Sequence, residues 1–204
     1  MLETTALACE RGGLQLFAGL SLALGPGGLL RVRGANGSGK TTLLRTLAGL
    51  TRPAAGSVRW RGNLINGAID GEYRREMLFL GHAPGMKDEL TVLENLEFSS
   101  KLSELKNSGF KNALEQLGVA RLADLPARYL SQGQRRRAAL ARLALSADVP
   151  LWLLDEPFTA LDAEGIAQLS ALCAAHLAAG AMLVLTSHQD VPISSPAPQE
   201  IELR

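Results

Sequence analysis

Apolar residues alternate with polar ones early in the chain and then give way to helical spacing. Leu14, Leu16, Leu20, Leu22 and Leu24 recur at even intervals before a break at Gly25-Pro26-Gly27-Gly28, the pattern of a strand ending in a turn. The run 28–33 that follows suits a buried strand, and Leu43, Leu44 and Leu47 lie on one face of a helix. Trp60-Arg61-Gly62-Asn63, with the residues before it, reads as a hairpin, and 77–81 as a further strand. From about Thr91 the period turns helical, with Leu93 and Leu96, then Ala113, Leu114 and Leu117. One long helix is expected over 131–146. Residues 149–154 form a continuous apolar run of the kind buried on both faces of a parallel sheet. Helix 163–179, stopped by Gly180, and strand 182–186 complete a strand–helix–strand unit. The segment 190–204 is rich in Pro and Ser, with one terminal strand expected at 200–203.

The pattern therefore predicts an α/β chain with a sheet core (about 1–87 and 147–204) and an inserted helical lobe (about 88–146). A length of 204 residues suits one domain carrying such a lobe. Lys and Arg total 21 against 20 acids, so no global charge draws the chain to nucleic acid or lipid. Cys9 and Cys173 match no metal or redox spacing and suit a reducing cytoplasm. The first ten residues lack the basic start and apolar centre of a signal peptide. The uncharged stretch 166–179 is shorter than the roughly 20 residues a bilayer requires. A role at a membrane would depend on another chain.

Chemistry enters at residues 34–41. Gly34, Ala35, Asn36, Gly37, Ser38, Gly39, Lys40 and Thr41 fit the GxxxxGK[ST] pattern between a predicted strand and a predicted helix. In that setting the loop's N–H groups and the helix dipole face one phosphate. Lys40 reaches the outer phosphates, and Thr41 offers its hydroxyl to Mg²⁺. Asp155 and Glu156 follow the apolar strand 149–154, at the end of a parallel strand where ligands bind. Hydrolysis of a phosphate anhydride needs a carboxylate to hold Mg²⁺ through water, which suits Asp155. It also needs a base for the attacking water, which suits Glu156. Ser131, Gln132, Gly133 and Gln134 begin a helix with a hydroxyl and open N–H groups, a second anion-facing turn. The arginines after it, by themselves, read as a solvated basic helix face.

Leu130-Ser131-Gln132-Gly133-Gln134, followed some twenty residues later by Asp155-Glu156-Pro157, closely resembles the signature of ATP-binding cassette (ABC) ATPases. That resemblance covers essentially the whole chain. It implies a P-loop NTPase core of the ABC type, with a mixed or parallel sheet, an N-terminal antiparallel β subdomain and an inserted α-helical lobe. Ala160-Leu161-Asp162 resembles the family's D-loop, and His188 its switch histidine that contacts the γ-phosphate. The resemblance further implies ATP and Mg²⁺ as cofactors and a head-to-tail pair of copies. Each ATP would lie between residues 37–42 of one copy, including Thr42, and residues 131–134 of the other.

Two positions depart from the family pattern. His82 stands where a glutamine is usual, nine residues before Thr91, and a neutral imidazole is a poorer partner for a hard ion. It is kept as a coupling and candidate catalytic residue. Arg11 stands near the usual adenine-stacking aromatic, and its planar guanidinium can stack in its place. The string Leu80-Gly81-His82-Ala83-Pro84-Gly85-Met86-Lys87 resembles the ATP-binding subunits of haem exporters in cytochrome c maturation. Cys9-Glu10-Arg11, Asn36-Gly37-Ser38 and Thr186-Ser187-His188-Gln189 agree with that group. Such subunits imply a multi-span membrane permease, haem-handling membrane proteins and a periplasmic chaperone as partners, at the cytoplasmic face of a bacterial inner membrane. The alternatives are a soluble ABC-class ATPase and an ABC subunit exporting another substrate. A guanine-reading Asn/Thr-Lys-x-Asp motif does not follow the loop, which argues against a GTPase. Small-molecule kinases have no need of residues 130–134.

Overall fold

Two sheets share the strands of the chain in the computed structural model, which describes residues 1–65, 71–105, 108–188, 193 and 198–203. The strands are β1 (Leu2–Arg11), β2 (Leu14–Leu24), β3 (Leu29–Gly34), β4 (Ala55–Trp60), β5 (Asn63–Leu64), β6 (Met77–Leu80), β7 (Leu151–Leu154), β8 (Met182–Thr186) and β9 (Gln199–Leu203). Among the described residues, one sheet is antiparallel in the order β2-β1-β4-β5, and the other is parallel in the order β6-β7-β8-β3-β9. The expected hairpin at Trp60–Asn63 is the β4–β5 turn, with positive φ at both Arg61 and Gly62, as a twist-matched two-residue turn requires. Most of the Pro- and Ser-rich end, with Gln189, lies outside the described residues.

The helices are α1 (Lys40–Leu47), α2 (Gly71–Arg75), α3 (Val92–Leu102), α4 (Phe110–Gln116), α5 (Gln132–Leu140), α6 (Arg142–Leu145) and α7 (Ala163–Ala178). Thr91 opens α3 with a capping box to Glu94, so the lobe's first helix starts where its sequence supplies a cap. The single helix expected over 131–146 is instead two. At Ala141 the backbone N–H is shared between the Arg137 and Ala138 carbonyls, and Ala144 bonds back only three residues, to Ala141. The tightened turn keeps Leu140, Leu143 and Leu145 all buried, and Arg142 donates to the Phe79 carbonyl. The apolar pattern runs through the break without a gap, so periodicity alone shows one helix.

The parallel sheet is buried on both faces. Leu151 and Leu153 of β7 and Val184 of β8 face a core shared with α1 and the antiparallel sheet. Trp152, Leu154, Leu183 and Leu185 face a second core that includes Val92, Leu114 and Leu140 of the lobe and Leu169 of α7. That two-sided burial explains the unbroken apolar runs. Registers Leu154↔Leu185 and Val32↔Thr186 bring the carboxyl ends of β7, β8 and β3 side by side. Residues 34–41, 155–156 and 186–188 therefore emerge together.

Candidate functional site

Glycine at position 34 is a packing requirement. A Cβ there would lie 2.5 Å from both the Leu203 carbonyl oxygen and Ser38 Oγ. Its φ of 147° turns the chain from β3 into the loop, and Gly39, with φ 99°, is the N-cap of α1. Lys40, 6% exposed, folds back so that Nζ donates to the Gly34 and Ala35 carbonyls at 2.8 and 3.0 Å. Ser38 Oγ is buried with no hydrogen-bond partner among the described residues. An orphaned hydroxyl beside a cation resting on weak carbonyl acceptors is suited to receive phosphate oxygens.

Asp155 is 1% exposed. Its Oδ2 accepts from Thr41 Oγ1 at 2.8 Å, and its Oδ1 from Thr186 Oγ1 at 2.8 Å. The hydroxyl and carboxylate oxygens of Thr41 and Asp155 form a hard-donor pair of the type Mg²⁺ takes. Thr186 Oγ1 also accepts the Glu156 N–H at 2.7 Å. Glu156 holds φ 47°, a left-handed conformation uncommon outside glycine. Its Oε1 lies 2.8 Å from His188 Nε2, and its Oε2 accepts from Thr159 Oγ1 at 3.3 Å. A cavity of about 290 Å³ is lined by the loop residues Asn36, Gly37, Gly39, Lys40, Thr41 and Thr42, with Glu156 across from them. Arg11 and Leu16 complete its wall.

The turn 131–134, Asp162 and His82 lie away from the loop cavity. Ser131 caps α5, accepting from the Gln134 N–H at 3.3 Å, while Gln134 Oε1 accepts the Ser131 N–H at 2.9 Å. This turn lines a polar cavity of about 510 Å³ with Gly133, Arg137, Asp162 and Glu164, and shares no residue with the loop cavity. Asp162 caps α7 through the Gly165 N–H and pairs with Arg137. Those contacts, the Gly165 N–H foremost, hold its carboxyl below the usual range. His82 is exposed on a third cavity, about 420 Å³, with Pro84, Met86, Leu130, Gln132 and Thr159.

The expected solvated basic face after the signature turn is corrected by the structure. Arg135 pairs with Asp88 at the surface, but Arg136 is 4% exposed and Arg142 is largely buried. Burial lowers the Arg136 pKa against the opposing pull of Asp155 and Glu156. All its donors go to backbone carbonyls of residues 81–82 and 155–157. Helical spacing says nothing about carbonyls supplied by other segments, so these partners were not legible beforehand. Thr186 was visible only as a polar residue ending an apolar strand; the register one step beyond Leu154↔Leu185 is what sets it beside Asp155.

Comparison with known proteins bears on the family and the fold. The family model described as ABC transporter matches residues 17–159. A relative from Aromatoleum aromaticum is 50% identical over 198 residues, covering 96% of this chain and 92% of its own length. One from Escherichia coli K12 is 44% identical, covering 100% and 96% respectively. Both carry the name cytochrome c biogenesis ATP-binding export protein CcmA. Among solved structures, the dimeric cassette MJ0796 in a post-hydrolysis state bound to ADP and Pi superposes with a TM-score of 0.81. It shares 25% identity, over 100% of this chain and 94% of that one. By the family model over most of its length and by these near-full-length relatives, the chain belongs to the ABC transporter family and is one of its ATP-hydrolysing cassettes.

Proposed function

We propose that this cassette drives an export complex serving cytochrome c biogenesis, as a head-to-tail pair docked on a membrane permease. One observation carries the paired arrangement. The phosphate loop and the Ser131 turn both present anion-binding groups, yet they line separate cavities with no residue in common. A nucleotide that uses both must lie between two copies, and a two-fold axis then creates two equivalent sites. The names of the relatives support cytochrome c biogenesis. Haem as the species handled, passed through membrane proteins and a periplasmic chaperone, follows from the resemblance around His82.

In this reading the whole chain is one cassette, its helical lobe (about 88–146) inserted into the sheet core. Lys40 exchanges its carbonyl partners for phosphate oxygens, and the loop N–H groups and Ser38 hydroxyl fix the phosphate orientation. Mg²⁺, when bound, would supply charge neutralisation, held by Thr41 and, through water, by Asp155. Glu156 orients the attacking water and takes its proton, with His188 steadying the Glu156 carboxylate and contacting the γ-phosphate. Ser131, Gln132, Gly133 and Gln134 of the second copy close over the same phosphates, and Arg11 stacks on the adenine. His82 and its cavity face the permease, which makes His82 the coupling residue. The protein sits peripherally at the cytoplasmic face of the inner membrane; no helix among the described residues is long and apolar enough to cross a bilayer.

The test is E156Q. Water activation is lost while binding remains, so with ATP the variant should run as a dimer on size exclusion, with turnover abolished. A variant that stays monomeric at saturating ATP counts against the sandwich.

A further inference from the structure

We infer that Arg136 is a positioning residue for hydrolysis, whose guanidinium ties the segment carrying His82 to the backbone that presents Glu156. The inference rests on the reading of Glu156 as the water-activating base. Nη1 donates to the Gly81 and His82 carbonyls at 3.3 and 2.9 Å. Nη2 donates to the Asp155 and Glu156 carbonyls at 3.0 and 2.7 Å, and Nε to that of Pro157 at 3.4 Å. One planar fork thus fixes two segments that leave adjacent strands, β6 and β7, in the same direction.

The chemistry of the contact favours positioning over simple filling. Burying a guanidinium is costly, and an apolar side chain of similar volume would fill the space without that penalty. Two of the carbonyls it meets are those of the acid pair itself, Asp155 and Glu156. At Glu156 the restraint is two-sided: Arg136 holds the carbonyl, and Thr186 Oγ1 holds the N–H. A residue at φ 47° keeps its side-chain direction only if the surroundings over-determine its backbone. Arg136 also belongs to α5, the helix capped by Ser131, and contributes to the wall of the His82 cavity. A shift of α5 or of the His82 segment is thereby passed directly to the Glu156 backbone.

R136K keeps the charge without the fork, R136Q keeps part of the hydrogen bonding, and R136M keeps the volume. Each would be measured in the full chain beside E156Q for kcat and KM of ATP hydrolysis, nucleotide affinity and thermal unfolding. We expect R136K and R136M to lose at least fivefold in kcat, with KM and nucleotide affinity within twofold of the parent. A merely structural arginine would lower the unfolding temperature without that split. A smaller loss of kcat in a folded R136K, or a loss carried by KM, overturns the inference. If R136M does not fold, R136K and R136Q decide it by the same thresholds. Normal turnover in E156Q would remove the underlying reading of Glu156, whereas an inactive E156Q beside an active R136K removes only the role given to Arg136.

Discussion

Two threonine hydroxyls complete the buried carboxylate of Asp155, and the one on Thr186 does double duty. It donates to Asp155 Oδ1 and accepts from the Glu156 N–H, so one side chain sets the relative position of both acids. Thr186→Val keeps the shape and removes the bridge, leaving a carboxylate oxygen and an N–H short of a partner. An unsatisfied buried group costs about 1–3 kcal/mol, which should lower the unfolding temperature by several degrees. Turnover should fall as well, and Thr186→Ser should restore both. Thermal unfolding and ATPase assays on the three proteins check this; a T186V chain matching the parent in both would remove the bridge from the mechanism.

At the level of elements, α7 is held to the parallel sheet by an uncommon contact. The His176 imidazole stacks on Trp152 of β7, with ring centroids 3.6 Å apart and planes 10° from parallel. Burial pushes its pKa down to about 4, outweighing the opposing pull of the Met182 backbone. The unfolded chain takes up this proton near pH 6.5, which the folded chain refuses until about pH 4. The unfolded state therefore binds more protons in that window, and stability falls as pH falls. The loss is about 1.4 kcal/mol per pH unit and roughly 3 kcal/mol in all. His176→Phe keeps an aromatic stack and removes the titration, so denaturant unfolding between pH 7 and 4 should be flatter in the variant. Equal pH slopes in the two proteins would show that His176 does not titrate as its burial implies.

For the whole molecule, the separation of the loop cavity from the Ser131 cavity sets a test that no single copy can pass. Lys40→Ala destroys the loop and leaves the turn; Ser131→Arg obstructs the turn and leaves the loop. Each variant alone should be nearly inactive, since both of its sites in a pair contain the lesion. In a mixed pair, one site combines the intact loop of one copy with the intact turn of the other. Mixing equal amounts should therefore recover activity, up to about a quarter of the parent rate if pairing is random and sites act independently. A mixture as inactive as its components would argue against a site shared between copies.

The sequence by itself determined the local chemistry. Residues 34–41 read as a candidate anion-binding loop, because a buried strand leads into them and a helix face follows. The apolar run 149–154 had to deliver Asp155 and Glu156 to a strand end. The family resemblance at 130–134 was equally local, and the family comparison agrees with it. What only the tertiary structure decided depends on partners distant in the chain. Arg136 is buried because carbonyls from residues 81–82 and 155–157 converge on it; its own neighbours predicted a solvated face. The helix break at Ala141 passes unmarked through a continuous apolar pattern. That the loop and the Ser131 turn line separate cavities is likewise invisible in their spacing. Periodicity reports which face of an element is apolar, whereas register and packing decide which polar groups meet.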